Sequence, residues 1–371
     1  MVMANNNENK VLNVPHLRFP EFTGEWNFEP LDTIAPNITS GKSKPAVGQY
    51  DLYGSTGIIG KTSTADYSGD MLLVARVGAN AGTLQLVNGI CGITDNTLII
   101  KPRKLSSRYL HFYLQHYNLN RLIFGSGQPL ITAGMLKKVH IPFGKPLEQY
   151  KIEILLNLIA ERITAQNKII EKLETLIKGI VDLSYDNSVT TKKLGNVIAQ
   201  ISQRNKSGKE MVVLSVNNKQ GFIEQSEQFE ERIIASDDTS NYKMVCINDF
   251  AYNPARINVG SIARLKDKEC GIVSPMYICF RTLGNMLPEY LELFFKTKRF
   301  ALDVDKRLEG SVRLCLSYEG LCEIAIPIIA IEKQKTLVEK IASLYSKLDI
   351  EKKFLRNYKM QKQYLLSQMF I

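Results

Sequence analysis

GDMLLVARVGANAGTLQLVNGICGITDNTLIIKP, from Gly69 to Pro102, is echoed by NDFAYNPARINVGSIARLKDKECGIVSPMYICFRT, from Asn248 to Thr282. Both are rich in short β-branched and apolar runs broken by Gly, Asn and Asp, the signature of strands joined by turns. Side by side, Arg76 falls on Arg256, and Cys91-Gly92-Ile93 on Cys270-Gly271-Ile272. Moving outward, RYLHFYLQ from Arg108 matches EYLELFFK from Glu289, each spaced for a short amphipathic helix. Gly125-Ser126 then matches Gly310-Ser311, Ile141-Pro142 matches Ile326-Pro327, and Gln149 matches Gln334, all at one offset of 185 residues. The chain is an internal duplication.

Beyond each Ile-Pro the period changes. Ile152, Leu155, Leu156, Ile159, Ile163, Ile170, Leu173 and Ile177 follow heptad-like spacing between Glu148 and about Ile180. Leu337, Ile341, Leu344, Leu348, Leu355 and Tyr358 do so between about Glu332 and Met369. Neither stretch holds proline, and Gly179 stands where a helix stop belongs. Helices of roughly 30 to 38 residues, about 45 to 57 Å long, exceed an ordinary globular helix. Two such helices can bury their apolar stripes against each other. Ile152, Leu156, Ile159, Ile163 and Ile170, with Leu337, Ile341, Leu344, Leu348 and Leu355, are the expected pairing residues. LSYDNSVTT, Leu183 to Thr191, is polar and lacks that spacing, so it reads as a linker. The expected order is a globular domain over 1–146, a long helix over 147–182, the linker 183–191, a second domain over 192–331 and a second helix over 332–371. Strands and turns dominate each globular part, with a few helices, which makes the fold class α+β.

With 47 Lys and Arg against 37 Asp and Glu, the chain carries a formal charge of +10, which suits a polyanionic partner. No apolar run approaches the ~20 residues of a membrane span, and MVMANNNENK lacks a signal-peptide core, so a soluble cytoplasmic protein is expected. The six cysteines form no CxxC pair, and Cys91, Cys246, Cys270 and Cys279 lie in apolar runs, so they read as free thiols. His16, His111, His116 and His140 lack metal-ligand spacing. GKS at Gly41 and GKT at Gly60 resemble the end of a P-loop, but the glycine required upstream is Pro36 in one and Ser55 in the other. Asn253-Pro254-Ala255-Arg256 lacks the aromatic of an adenine methyltransferase loop. No nucleophile with a base, and no metal site, stands out.

The residues suited to DNA cluster in turn-like segments. Lys42, Ser43 and Lys44 can neutralise or bond phosphates, and Ser55 and Thr56 sit between Gly54 and Gly57, where backbone N–H groups can approach one. Arg76 and Asn80 flank Gly78, while Arg256 and Asn258 precede Gly260. Arg and Asn are the types that read guanine and adenine edges bidentately. Arg204 and Lys206 form a basic cluster before the strand MVVLSV, as Lys42 and Lys44 do in the first half. A structural role for Arg76 and Arg256, paired with carboxylates, is the competing reading. Lys347, Lys352, Lys353, Arg356, Lys359 and Lys362 mark an outer face of the second helix that is either solvated or a docking surface.

VPHLRFPEFTGEWNFEPL near the start, YGSTGIIG at Tyr53, the repeated Ile-Pro followed by a Gln-led long helix, and the duplication itself resemble the specificity subunit of type I restriction-modification systems. The resemblance runs over nearly the whole chain. It implies two target-recognition domains, each reading half of a split, asymmetric DNA sequence, with antiparallel helices setting the unread spacer. It also implies partners: two modification subunits that carry S-adenosylmethionine and methylate a flipped adenine, and two restriction subunits that use ATP and Mg. No cofactor and no catalysis are expected on this chain. The competing reading is a DNA-binding or scaffolding subunit of another bacterial defence assembly.

Overall fold

The computed structural model describes residues 13–123, 127–186, 190–206, 211–225, 239–311 and 313–371. They divide into two compact units, the first reaching Asn167 and resuming at Lys353, the second running from Lys168 to Lys352.

In the first unit Met71-Leu72-Leu73-Val74-Ala75 lies on the strand Tyr67–Ala75, and alternation sends successive side chains to opposite faces. Leu72 and Val74 join one core with Leu98 and Ile100, and Met71 and Leu73 join another with Ile99. Burial on both faces is why the run is uniformly apolar. The six-stranded sheet has the order Thr39–Ser40, Thr97–Ile100, Tyr67–Ala75, Leu84–Ile93, Tyr50–Gly54, Gly57–Thr62. Its neighbours are antiparallel except Tyr50–Gly54 beside Leu84–Ile93, where Leu52 faces Gly92. The helix Ser107–Tyr117 starts at Ser106, whose Oγ accepts from Tyr109 N at 2.9 Å. Tyr109 and Tyr113 bury their rings and donate to the carbonyls of Pro142 and His140, fixing the strand His140–Phe143 that carries Ile141-Pro142.

The second unit repeats the strand order with each long strand cut in two. One four-stranded sheet is Ile198–Ile201, Ile278–Thr282, Phe250–Tyr252, Ile262–Arg264, and the other is Gly221–Glu224, Val213–Asn217, Cys270–Val273, Lys243–Cys246. The cut falls at Asn248, whose φ of 71° is left-handed. Buried Asp249 holds the corner, accepting from Cys246 N at 2.8 Å and from Arg281 Nε and Nη2 at 3.1 and 3.0 Å.

The two long helices are Pro146–Asp186 and Ile331–Met369. Each unit contains the first part of one and the last part of the other. In the first unit the Arg162 guanidinium lies 4.8 Å over the Tyr358 ring while the earlier Ile152 and Leu156 share a core with the later Leu365 and Met369, so the segments there run in opposite directions; in the second, Lys352 meets Glu174 at 2.7 Å. Ile152, Leu156, Ile159, Ile170, Ile341 and Leu348 are buried, and Ile163, Leu337, Leu344 and Leu355 are half-buried. Ile152 and Leu156 lie in the first unit's sheet-and-helix core with Leu365 and Met369, so the seam also serves that core.

Three expectations change. Gly179 does not stop the helix, which continues to Asp186; a mid-helix glycine costs about 1 kcal/mol. Ile177, Val181 and Tyr185, buried at four-residue intervals on either side of it, offset that cost. Residues 183–186 are therefore helix and not linker, with the Tyr185 hydroxyl donating to Tyr290 O and its ring 4.8 Å from that of Tyr290. Thr191 pairs with Pro327 in a short sheet; residues 187–189 lie outside the described set. Cys246 and Cys270, expected free, face each other in an antiparallel pair and form a disulfide; Cys91, Cys279, Cys315 and Cys322 are free. Among the described residues no helix is long and apolar enough to cross a membrane.

Candidate nucleic-acid interface

The loops after the second long strand share one backbone frame. Ala75 N donates to Thr83 O and Ile131 N to Arg76 O in the first unit; Asn253 N donates to Ser261 O and Leu316 N to Pro254 O in the second. Ala81 N to Gly78 O likewise matches Val259 N to Arg256 O, and Gly82 and Gly260 share a left-handed φ of 88° and 86°. This frame keeps Asn80 opposite Asn258, both exposed, but moves the arginines apart. Pro254 occupies the place of Arg76, and Arg256 the place of Gly78. The sequence pairing of Arg76 with Arg256 is therefore off by two positions, because two similar Ala-Arg dipeptides enter loops of equal length at different points.

Neither arginine has a carboxylate partner among the described residues, and the Arg76 Nε is buried there without a hydrogen-bond acceptor. Arg256 is exposed. In the first unit the segment 129–130 closes over this frame: Gly78 N donates to Pro129 O, and Val77 bridges Leu130. Gly125 and Ser126 themselves lie outside the described residues.

The two-residue turn Ser55-Thr56 between Tyr50–Gly54 and Gly57–Thr62 leans toward this loop, since Gln85, three residues past Gly82, donates to Gly54 O at 2.9 Å. In the second unit the equivalent turn is Asn218-Lys219-Gln220; a Cβ on Gly260 would lie 3.7 Å from the Asn218 Cβ. The Asn217 side chain holds that turn by accepting from Lys219 N and Gln220 N. The sequence reading overlooked Asn218, Lys219 and Gln220; NNKQG between two apolar runs is the hairpin signal that could have found them.

The lysine clusters sit elsewhere. Ser43 is buried, donating to Asp66 and accepting from Ile93 N, so its hydroxyl is engaged inside the fold, while Lys42 and Lys44 are exposed. The Tyr67 phenol bonds the Lys42 backbone, which places this cluster at the start of Tyr67–Ala75, about 30 Å along the strand from Arg76. Arg204 likewise bridges Lys243 at the start of its strand and donates to Asn241 Oδ1 at 3.0 Å; Lys206 is exposed. Each unit thus carries a lysine or arginine cluster at one end and an Asn loop with a hairpin turn at the other.

A cleft in the second unit runs from Asn217–Gln220 past Gly260 to Lys266, Lys268 and Lys296. Lys266 pairs with Glu292 at 2.6 Å and Lys268 with Glu224 at 2.7 Å, whereas Lys219 makes no ion pair among the described residues. Burial raises the Glu292 carboxyl, but Lys296, Lys266 and Arg264 outweigh it and hold it below the usual range. Among the described residues no three His, Cys, Asp or Glu side chains are grouped to hold a metal ion.

Residues 31–175 match the family model described as the type I restriction modification DNA specificity domain. The chain is 25% identical over 167 residues to the type I restriction enzyme EcoprrI specificity subunit of Escherichia coli, a match covering 44% of this chain and 37% of that protein. It thus spans little more than a third of that relative. The fold is similar to the crystal structure of a type I restriction-modification S subunit from M. genitalium, with a TM-score of 0.63 at 16% identity over 96% of this chain and 99% of that one. A chain from a study of complex assembly and conformational transition of the type I R-M system gives 0.56 at 14% identity, covering 96% and 99%. The family named from the sequence motifs is the one these comparisons return.

Proposed function

We propose that this chain, whose residues 31–175 carry a type I DNA specificity domain, is the DNA-reading subunit of a type I restriction-modification complex. The observation that carries the reading is the shared frame: two units of one strand order, each presenting an exposed Asn on a glycine-closed loop beside a hairpin turn. Equal frames bearing different side chains suit two half-sites of different sequence. Arg76, Asn80, Ser55 and Thr56 address one half-site, and Arg256, Asn258 and the Asn218–Gln220 turn the other. Lys42, Lys44, Arg204 and Lys206 contact phosphates. The long helices set the spacer between half-sites, and modification subunits carrying S-adenosylmethionine methylate an adenine in each. Restriction subunits supply ATP-driven translocation and Mg-dependent cleavage.

The test is to co-express the chain with the modification subunit encoded beside it and to map adenine methylation across a genome by single-molecule sequencing. Two short half-sites around a fixed gap are the expected result. An assembled complex that methylates no split motif overturns the reading.

A further inference from the structure

The last strand of the first unit's sheet, Gly57–Thr62, has no neighbouring strand on its outer side among the described residues, and residues 58–61 are all exposed. Ile58 and Ile59 are 56% and 53% exposed, and Ile59 is the extra residue of a bulge, since Leu52 pairs with Gly60 and Tyr53 with Ile58. An exposed apolar edge between glycines invites association with itself, which natural edges limit with charge, covering or a bulge such as the one here. Gly60 meets nothing that a Cβ would touch, so the folded chain alone does not explain its small size. Lysines stand at the root of this ribbon: Lys61 is exposed and paired with Asp51, Ala46 N donates to Lys61 O, and Lys42 and Lys44 line a cleft with Thr62, Ser63 and Thr64.

These dimensions match a DNA groove. A two-stranded ribbon fits the major groove, which is ~12 Å wide and ~8.5 Å deep, and three residues of strand between Lys61 and Ile58 span about 10 Å. Ile58 can therefore reach the floor while the lysines meet the backbone. Apolar side chains there recognise one base feature, the C5-methyl of thymine. We infer that the Tyr50–Thr62 ribbon is the major-groove reader of the first unit and that Ile58 and Ile59 select thymine through its methyl group. The inference rests on the DNA-reading function proposed above and names the chemistry of that reading. The second unit differs, since its corresponding strand Gly221–Glu224 is half-buried and its turn carries the amides of Asn218 and Gln220. Its readout is by hydrogen bonds.

The experiment uses the complex of this chain with its modification subunit and a duplex carrying the mapped target, with each thymine of both half-sites replaced in turn by deoxyuridine, which lacks only the methyl. Loss of one buried methyl weakens binding about fourfold. The expected result is that loss at one or two thymines in a single half-site, and its disappearance in Ile58→Ala or Ile59→Ala but not in Ile58→Val. Both positions are exposed enough for these variants to fold, which an unchanged melting temperature checks. The inference is overturned if no thymine is sensitive, or if every sensitive thymine stays so in both alanine variants. Absence of any methylated motif is a different failure, that of the proposed function.

Discussion

Acidification should unfold the first unit through His111. Its imidazole lies on the Ser107–Tyr117 helix, where Gln115 Nε2 donates to its Nε2 at 2.8 Å. Burial is the main reason its pKa falls to about 4, with Lys362 and Arg108 adding repulsion. The fold therefore prefers the neutral ring, whereas the unfolded chain takes up the proton near pH 6.5. Stability from this group is complete above pH 6.5 and is lost as the pH falls toward 4. Linkage gives a loss of about 2 kcal/mol by pH 5 and about 3 kcal/mol by pH 4. His116, lowered by burial and by Arg121, adds in the same direction. Trp26 is the sole tryptophan and is buried in the first unit, its Nε1 donating to Glu148, so its fluorescence during urea unfolding reports that unit. Measured at pH 8 and pH 5, the unaltered chain should lose about 2 kcal/mol more than His111→Gln. Equal losses in the two proteins would refute the argument.

Gln334 donates to Asn285 O and Ile329 O and accepts from Leu287 N, so Gln334→Ala should cost about 3 kcal/mol in chemical unfolding followed by far-UV circular dichroism. Gln149→Ala, which removes one bond to Gly144 O among the described residues, should cost about 1 kcal/mol by Trp26 fluorescence. Alkylation of the denatured, unreduced chain should label four thiols, and six after reduction; six without reduction would refute the Cys246–Cys270 bond. Arg76→Ala and Arg256→Ala should each weaken recognition of one half-site by about 1 to 3 kcal/mol in binding assays on variant duplexes, and a uniform loss on all sequences would count against base contact.

The duplication was legible because it survives as residue identities at a fixed offset, and those identities are structural. Gln149 and Gln334 tie the long helices to the preceding turn, and the Ile-Pro pairs sit on the short strands that receive the tyrosine hydroxyls. What the sequence hid depends on partners remote in the chain. Cys246 and Cys270 are neighbours only through strand register, and Tyr185 is buried in a segment that looks polar because its aromatic pocket comes from Tyr290 and Phe294. The arginine pairing failed for a related reason: chemical likeness at Ala-Arg competed with a hydrogen-bond frame that only coordinates display. Ser43 looked like a phosphate ligand because nothing nearby in sequence announces Asp66 as its acceptor.

Phe370 packs edge-on against Tyr109 and Tyr113 at 5.5 and 5.6 Å, and Gln368 O accepts from Leu17 N. During synthesis at ~5–20 residues per second, roughly ten to forty seconds separate Asn167 from the arrival of this aromatic plug. The unit begun first is finished last, and until then its tyrosine pocket is open to chaperones and proteases. A stop codon just before Gln368 would therefore injure the first unit, far upstream of the lesion, while sparing the nearer one.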